Sequence, residues 1–310
     1  MVFLRFFHRK SWPLYCSALL AIQSHLVLAQ PSPSPASKAG CVNEAGVPAK
    51  LKRSKVYKDV PFKQGEVAKY ELKYGALKVL VGYGFMRVQP PVKYSVSSGK
   101  DANGKLVKAR LYHRVFQAEA YTGEWYKMVF RAKDKILAYS RPWDFGVSKF
   151  YISQNEHKPF VREYRREKWL EFDHFQCQVN TKENEYTKNK KREGIHELHS
   201  GALDALGAFY KLRTFDYEVG KDVKFPVYTS EKNWLLVAKP VALESVKVNA
   251  GTFETVKLSL QTYLGEELQQ KGELSVWVAK DHPNKPLIKI EGEVTFGSVY
   301  LLLESFKAGR

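Results

Sequence analysis

Apolar and polar side chains alternate with a period of two along much of the chain. In residues 68–74, alanine, tyrosine or leucine occupies each even position and lysine or glutamate each odd one. The apolar positions of the next such segment are Val79, Val81, Tyr83 and Phe85. Because successive side chains of a strand point to opposite faces of a sheet, this pattern predicts half-buried strands. Gly82 and Gly84, between these positions, predict a bend or close packing against another backbone.

Later segments extend the same pattern. The further alternating segments are residues 126–132, 246–248, 274–278 and 288–296. Clusters of turn-forming residues lie between strands, most clearly at 97–104 and 281–286. Many short strands joined by turns predict a mainly β fold: an antiparallel curled sheet, a sandwich or an open barrel.

One segment breaks this period and predicts a single short helix. After Ser200, a suitable N-cap, apolar residues recur at helical spacing up to Arg213. The helix would plug or flank the sheet. Arg213 lies in its last turn, where it can stabilise the helix dipole or bind an anion. Residues 181–193, just before the helix, are rich in lysine, glutamate and asparagine, and predict an exposed hairpin tip or loop.

The N-terminal 29 residues predict a cleaved secretory signal peptide. A basic start precedes an apolar stretch that ends in Val27-Leu28-Ala29. A retained membrane anchor is the alternative, although polar residues at 23–25 interrupt the apolar stretch. We therefore predict an exported bacterial protein, periplasmic or otherwise exported, in which residues 30–55 form a Pro/Ser-rich linker and N-terminal arm. Residues 56–310 would form a single β-rich domain.

Removal of the signal peptide would leave two cysteines, Cys41 and Cys177. An even pair in an oxidising compartment is compatible with one disulfide, which would join the N-terminal arm to the middle of the domain. Two free, partly buried thiols are the alternative.

The charge balance favours anionic partners. The chain has 50 Lys and Arg against 32 Asp and Glu, a formal net charge of +18. Three of the basic residues precede Ala29, so the mature chain keeps 47 − 32 = +15. Such a field attracts polyanions, and export disfavours nucleic acid as the partner. Candidate partners are anionic lipid, lipopolysaccharide or wall glycan, with peripheral membrane contact. A solvated basic surface without a specific partner is the alternative.

Candidate binding residues follow from charge and aromatic character. The run at 188–192 contributes Lys190, Lys191 and Arg192, and Arg213 is the candidate anion ligand near the helix. Trp277 alternates with the apolar residues of its strand, so it could stack on a ligand or pack between layers.

Catalytic and metal-binding motifs are absent from the sequence. It has neither Gly-x-Ser-x-Gly nor a phosphate-binding glycine loop. His196 and His199 are three residues apart, whereas the zinc helix requires two histidines with a four-residue spacing. We assign no catalytic residue, no metal and no cofactor.

Several motifs occur in the order found in an uncharacterised exported family, domain of unknown function 3108. The matching segments are 61–66, 203–206, 210–213, 251–253 and 272–277. The sequence resembles this family over residues 60–305. The resemblance implies an envelope-facing protein of a Gram-negative bacterium with a β-rich curled sheet and no settled activity. This chain departs from the family pattern at Gly207, where serine is expected, and in its more basic central segment.

Two functions remain open at this stage. The first is non-catalytic binding of an anionic amphiphile or envelope polymer. The alternative is a hydrolase acting on envelope polysaccharide or peptidoglycan. For the hydrolase, paired carboxylates such as Glu163, Glu171 or Asp173 would have to converge in a cleft.

Overall fold

A computed structural model describes residues 50–128, 130–268, 273–294 and 297–310. The predicted signal peptide and Cys41 lie outside these residues. The chain forms one large antiparallel sheet with a single α-helix in the described part. The strands are β1 (Val67–Tyr74), β2 (Val79–Lys100), β3 (Leu106–Thr122), β4 (Arg131–Ser140), β5 (Val147–His157), β6 (Tyr164–Asp173), β7 (Gln178–Glu185), β8 (Lys190–Glu197), β9 (Val223–Thr229), β10 (Lys232–Val248), β11 (Gly251–Leu264), β12 (Glu267–Leu268), β13 (Leu274–Ala279), β14 (Leu287–Val294) and β15 (Gly297–Lys307).

Two meanders make up the sheet. Strands β1 to β8 pair in sequence order, and strands β9, β10, β11, β13, β14 and β15 do the same. Antiparallel pairing of β1 with β15 joins the meanders into one sheet. The sheet curls until its ends approach. Asn233 Oδ1 accepts a hydrogen bond from the His199 amide at 2.8 Å, and Asn233 Nδ2 donates to the Glu197 carbonyl at 3.0 Å. The predicted curled antiparallel sheet is therefore confirmed.

The helix α1 (Ala205–Leu212) plugs the curled sheet. Asp204 caps it, and its Oδ1 accepts from the amides of Leu206 at 2.8 Å and Gly207 at 2.9 Å. The prediction of Ser200 as the N-cap was wrong, because the chain before the helix is extended and Leu203 forms a bridge with Val227. Most of α1 is buried.

Aromatic packing fixes the helix inside the sheet. Tyr210 of α1 stacks on Phe116 of β3, with ring centroids 3.9 Å apart, and contacts the edge of Phe62 at 5.1 Å. Each of the three side chains is fully buried. The concave face is therefore filled by its own helix and by the N-terminal segment before β1.

On β2, the residues that face inward are not the ones that the alternating pattern of the sequence predicted. Tyr83 and Phe85 lie on the outer face and contact Tyr121, whereas the glycine positions face inward. A Cβ at Gly82 would lie 2.3 Å from the Tyr121 carbonyl oxygen, and one at Gly84 would lie 3.2 Å from Leu301. The predicted close approach of another backbone is confirmed at Gly82.

The prediction of a strand over residues 126–132 was wrong for the residues that precede β4, which begins at Arg131. Residues Glu124–Tyr126 form a 3₁₀ turn, and the Phe130 amide donates to the Tyr126 carbonyl at 2.8 Å. This coiled connection leaves Trp125 and Met128 exposed. Of the last alternating segment, Phe296 lies outside the described residues.

Candidate functional site

Trp277, a candidate ligand-binding residue, is buried. It lies on β13, and its side chain points to the opposite face of the strand from Val276 and Val278, as the alternation predicts. Its indole Nε1 donates to Glu244 Oε2 at 2.7 Å, and Lys289 Nζ lies 4.0 Å from its ring centroid. Since side chains of its own sheet cover the ring, Trp277 performs packing in this structure.

Arg213, the candidate anion ligand, is buried in an ion pair with Glu66. Its two terminal nitrogens donate to the two carboxylate oxygens of Glu66 at 2.7 and 2.9 Å. The same guanidinium also donates to the carbonyls of Asn284 and Lys285. Although burial disfavours the charge, Glu66 raises the pKa of Arg213. Glu66 therefore already occupies the position that an external anion would take.

The basic run lies at the turn and on β8 of the hairpin formed by β7 and β8, which we call the basic hairpin. The prediction that residues 181–193 form an exposed hairpin tip or loop was wrong in part, because Thr181, Glu183 and Glu185 of β7 are buried. Lys188 contacts Glu185, and Arg192 donates to Glu183 at 3.4 Å. Lys190 and Lys191 are exposed and have no ion-pair partner within the part of the chain that the structure describes. Strand β8 is also an edge strand, so this charge borders solvent.

Charged residues line the inner face near the basic hairpin. Along β4 to β7 the inward positions are apolar near the helix and polar toward the end of the sheet that carries the hairpin. The buried acidic members are Asp134, Glu156, Glu183 and Glu185. Sequence analysis missed this inner charged cluster. The signal was present, because these charges fall at the positions that continue each strand's apolar series.

Asp134 and Glu156 are buried carboxyl groups with raised pKa values in this cluster. Burial raises the pKa of Asp134 well above its usual range, and the nearby Glu156 raises it further. Burial also raises the pKa of Glu156. Asp134 Oδ1 accepts from the Asn155 amide at 3.2 Å, while Oδ2 has no hydrogen-bond partner among the described residues. Buried carboxyls with perturbed pKa values are a common feature of functional sites.

The carboxylates that the sequence suggested for hydrolysis serve separate local contacts. Asp173 accepts hydrogen bonds from Ser97 at 2.6 Å and from the amides of Phe175 and Gln176. Glu171 interacts with Tyr94, and Glu163 is exposed in the β5–β6 turn. Asp134 and Glu156, in contrast, are close enough for the charge of Glu156 to raise the pKa of Asp134.

His113 and Ser148 form a buried polar pair. The His113 Nδ1 lies 2.9 Å from the Leu111 carbonyl, which can only accept, so Nδ1 carries the proton. Nε2 then accepts from the Ser148 hydroxyl at 2.9 Å. Burial lowers the pKa of His113 to about 4. Hydrolases use such pairs, but neither side chain here is accessible to a substrate.

Gly207 lies beside two buried oxygens. A Cβ at this position would be 2.9 Å from Asp204 Oδ2 and 3.3 Å from Ser140 Oγ, and neither oxygen has a hydrogen-bond partner among the described residues. Burial raises the pKa of Asp204 to about 6. A serine at position 207 would therefore crowd the helix cap unless the Asp204 carboxyl moved.

Cys177 is disulfide-bonded. Its expected partner, Cys41, lies outside the described residues, so the pairing remains a prediction. His196 lies on β8, 3.9 Å from Glu231, and His199 follows the strand. Within the described residues, no three His, Cys, Asp or Glu side chains are grouped as metal ligands would be. No helix in the same residues is long and apolar enough to span a membrane.

Comparison with solved structures finds proteins that align with 80% of this chain at low sequence identity. A β-barrel-like protein of the DUF1849 domain from Brucella abortus aligns with a TM-score of 0.45 and 8% identity, covering 80% of this chain and 99% of that one. A candidate exported protein with a YmcC-like fold from Bacteroides fragilis aligns with a TM-score of 0.32 and 12% identity, covering 80% and 98%. A candidate lipoprotein from Parabacteroides distasonis aligns with a TM-score of 0.28 and 11% identity, covering 80% and 98%.

Comparison with protein families identifies a domain over most of the sheet. No curated protein matches this chain. The model of DUF3108, a protein family of unknown function, matches residues 93–304, which span β2 to β15 and include α1 and the basic hairpin. The chain therefore belongs to the DUF3108 family.

Proposed function

We propose that this protein is exported to the periplasm or beyond, and that it binds an anionic amphiphile or polymer of the envelope without transforming it. The observation that carries the proposal is the pair of exposed lysines, Lys190 and Lys191, on the edge strand of the basic hairpin. Arg192 is partly neutralised by Glu183 and Glu185 and contributes less. Arg213 and Trp277 are outside the proposed surface, because both are buried.

The physical basis is electrostatic attraction of the whole basic chain, focused at this hairpin. The net charge of +15 that remains after removal of the predicted signal peptide raises the local concentration of polyanions, and exposed lysines contact them without a large desolvation cost. Exposed charges are screened beyond about 8 Å at physiological ionic strength. Binding should therefore weaken steeply as salt increases.

Replacing both lysines by glutamine tests the proposal. Each lysine near an anionic surface contributes about 1 kcal/mol, so Lys190→Gln with Lys191→Gln is expected to weaken binding to anionic vesicles or wall glycan roughly 10- to 30-fold. The folded state should change by less than about 0.5 kcal/mol, because both side chains are exposed. Vesicle co-sedimentation and glycan pull-down at low salt measure the effect.

A matched control removes the same charge elsewhere. Lys224 on the opposite edge strand, β9, and Lys247 near the other end of the sheet are also exposed. The Lys224→Gln, Lys247→Gln variant should bind like the wild type. Equal retention of the Lys190, Lys191 variant and the wild type on both ligands would contradict a role for the hairpin.

Hydrolysis of envelope polysaccharide or peptidoglycan is the second candidate, favoured by the raised pKa values of the buried carboxyls Asp134 and Glu156. Both side chains are buried in this structure, so this function requires the inner face to open to the polymer. One carboxyl with a raised pKa could then donate a proton to a glycosidic oxygen while the other stabilises the developing positive charge. Turnover of a wall polymer by the wild type that Glu156→Gln abolishes would replace binding by hydrolysis as the function.

Export is tested at the N-terminus. We expect cleavage after Ala29, because Val27 and Ala29 suit the −3 and −1 positions of a signal peptidase site. N-terminal sequencing of protein from the envelope fraction should begin at Gln30. Recovery in the cytosol with Met1 retained would contradict export.

A further inference from the structure

Three turns meet at one end of the sheet. In an antiparallel meander, alternate connections leave from the same end, so the β1–β2, β3–β4 and β5–β6 connections are neighbours. The Gly123 amide donates to the Val81 carbonyl at 3.0 Å, which ties the second connection to β2 close to where the first connection ends. Lys158 Nζ lies 5.8 Å from the Phe130 ring centroid, which places the third connection beside the second. The β7–β8 turn of the basic hairpin lies at this end too.

The tips of these three turns are apolar and exposed. We call them the apolar rim: Leu77 (90% exposed), Trp125 (91%), Met128 (80%), Phe160 (108%) and Val161 (57%). Large apolar side chains this exposed, grouped at one end of a molecule, mark an interaction surface.

Phe160 is held in an unfavourable conformation as well as exposed. Its φ is +61°, in the left-handed region that bulky residues rarely adopt. The turn around it is closed by a hydrogen bond from the Val161 amide to the Lys158 carbonyl at 3.2 Å. Strain of this kind tends to occur at functional positions. The turn therefore presents the Phe160 ring to solvent at an energetic cost.

Basic residues surround the apolar rim. Segments 75–80, 123–133 and 157–165 contain seven Lys or Arg and two Glu, a net charge of 7 − 2 = +5. Their basic residues are Lys78, Lys127, Arg131, Lys133, Lys158, Arg162 and Arg165. Two copies of such a surface would repel each other, and a soluble acidic polymer would leave the apolar tips exposed to water. An anionic lipid surface complements both properties.

We propose that the apolar rim docks on an anionic phospholipid membrane. The aromatic, methionine and aliphatic tips would enter the headgroup and acyl boundary, and the surrounding lysines and arginines would contact lipid phosphates. The inference rests on the proposed binding of an anionic envelope component and names that component as a lipid surface. The basic hairpin, at the same end, adds electrostatic attraction.

The experiment uses the mature chain and vesicles of phosphatidylglycerol and phosphatidylcholine in equal parts. Trp125→Ala with Phe160→Ala is expected to weaken co-sedimentation at least about tenfold, since these side chains would lose their insertion into the interface. Both are exposed, so the thermal unfolding midpoint should stay at the wild-type value. The control variant, Val241→Ala with Leu243→Ala, removes exposed apolar groups from β10 and should bind normally.

Fluorescence tests insertion directly. Brominated lipids should quench part of the wild-type tryptophan emission, and Trp125→Phe should remove that part while retaining binding. Pure phosphatidylcholine vesicles should bind weakly, because they lack the anionic charge.

The outcomes separate this inference from the proposed function. Undiminished vesicle binding by the Trp125, Phe160 variant would overturn the docking rim and leave charge-driven binding intact. Retention of the wild type on wall glycan but not on anionic vesicles would also overturn it. Self-association that disappears in the same variant, without vesicle binding, would make the rim an interface between copies instead.

Discussion

Replacing Glu66 by glutamine is expected to lower the free energy of unfolding by about 3 to 5 kcal/mol, because it leaves the Arg213 charge buried without a counter-ion. Both side chains are buried, and the pair has two hydrogen bonds of 2.7 and 2.9 Å across 147 residues of sequence. Arg213 also anchors the β13–β14 turn through the carbonyls of Asn284 and Lys285. Chemical denaturation measures the loss.

An exposed ion pair is the control for this prediction. Lys221 and Glu218 form a surface contact, and Glu218→Gln should change stability by less than about 1 kcal/mol. The double variant Glu66→Leu, Arg213→Met should recover much of the loss, because no charge then remains buried. A Glu66→Gln variant as stable as Glu218→Gln would show that the pair has no net importance for the fold.

Lowering the pH from 7 to 4 is expected to cost the wild-type protein roughly 3 kcal/mol more stability than it costs His113→Gln. The pKa of His113 is lowered from 6.5 to about 4 in the folded protein, first by burial. Between pH 6.5 and about 4, the His113 imidazole is protonated in the unfolded chain but neutral in the folded one. The free energy of unfolding therefore falls as the pH decreases towards 4 and then levels off. Each pKa unit corresponds to about 1.36 kcal/mol.

Comparing two pH profiles isolates His113 from other groups. His174, whose pKa is lowered to about 3 mainly by burial, and Asp204, whose pKa is raised to about 6, titrate in both proteins and cancel. His199→Gln, which removes an exposed histidine, is the matched control variant. Parallel profiles for His113→Gln and the wild type would mean that the imidazole is already protonated in the fold or stays accessible to water.

Local pattern was sufficient to predict the strands at 68–74, 79–85, 246–248, 274–278 and 288–294, the turn at 281–286 and the presence of one helix. These features depend on neighbours in sequence, which alternation and turn residues report directly. The outward position of Tyr83 and Phe85 was not predictable in this way. It depends on how closely the Tyr121 backbone and the Leu301 side chain approach the inward positions of β2 once the sheet has formed. Those positions have room only for glycine, so the aromatic side chains face outward.

The same distinction between local pattern and long-range contact applies to the candidate functional residues. The basic run was visible because consecutive lysines in a polar segment remain exposed. The roles of Arg213 and Trp277 depend on partners far away in sequence, Glu66 and Glu244. The apolar rim joins three turns that are separate in sequence, and the order of strands is what brings them together.

The pairing of β1 with β15 has a consequence for biogenesis. The first strand of the domain completes its hydrogen bonds only with the last one, across more than two hundred residues. If the chain crosses the membrane in order, one side of β1 stays open until β15 emerges, and open strand edges recruit other chains. Such long-range closure is slow. A holdase that covers β1 during translocation would therefore raise the yield of folded protein more than one acting on the later hairpins.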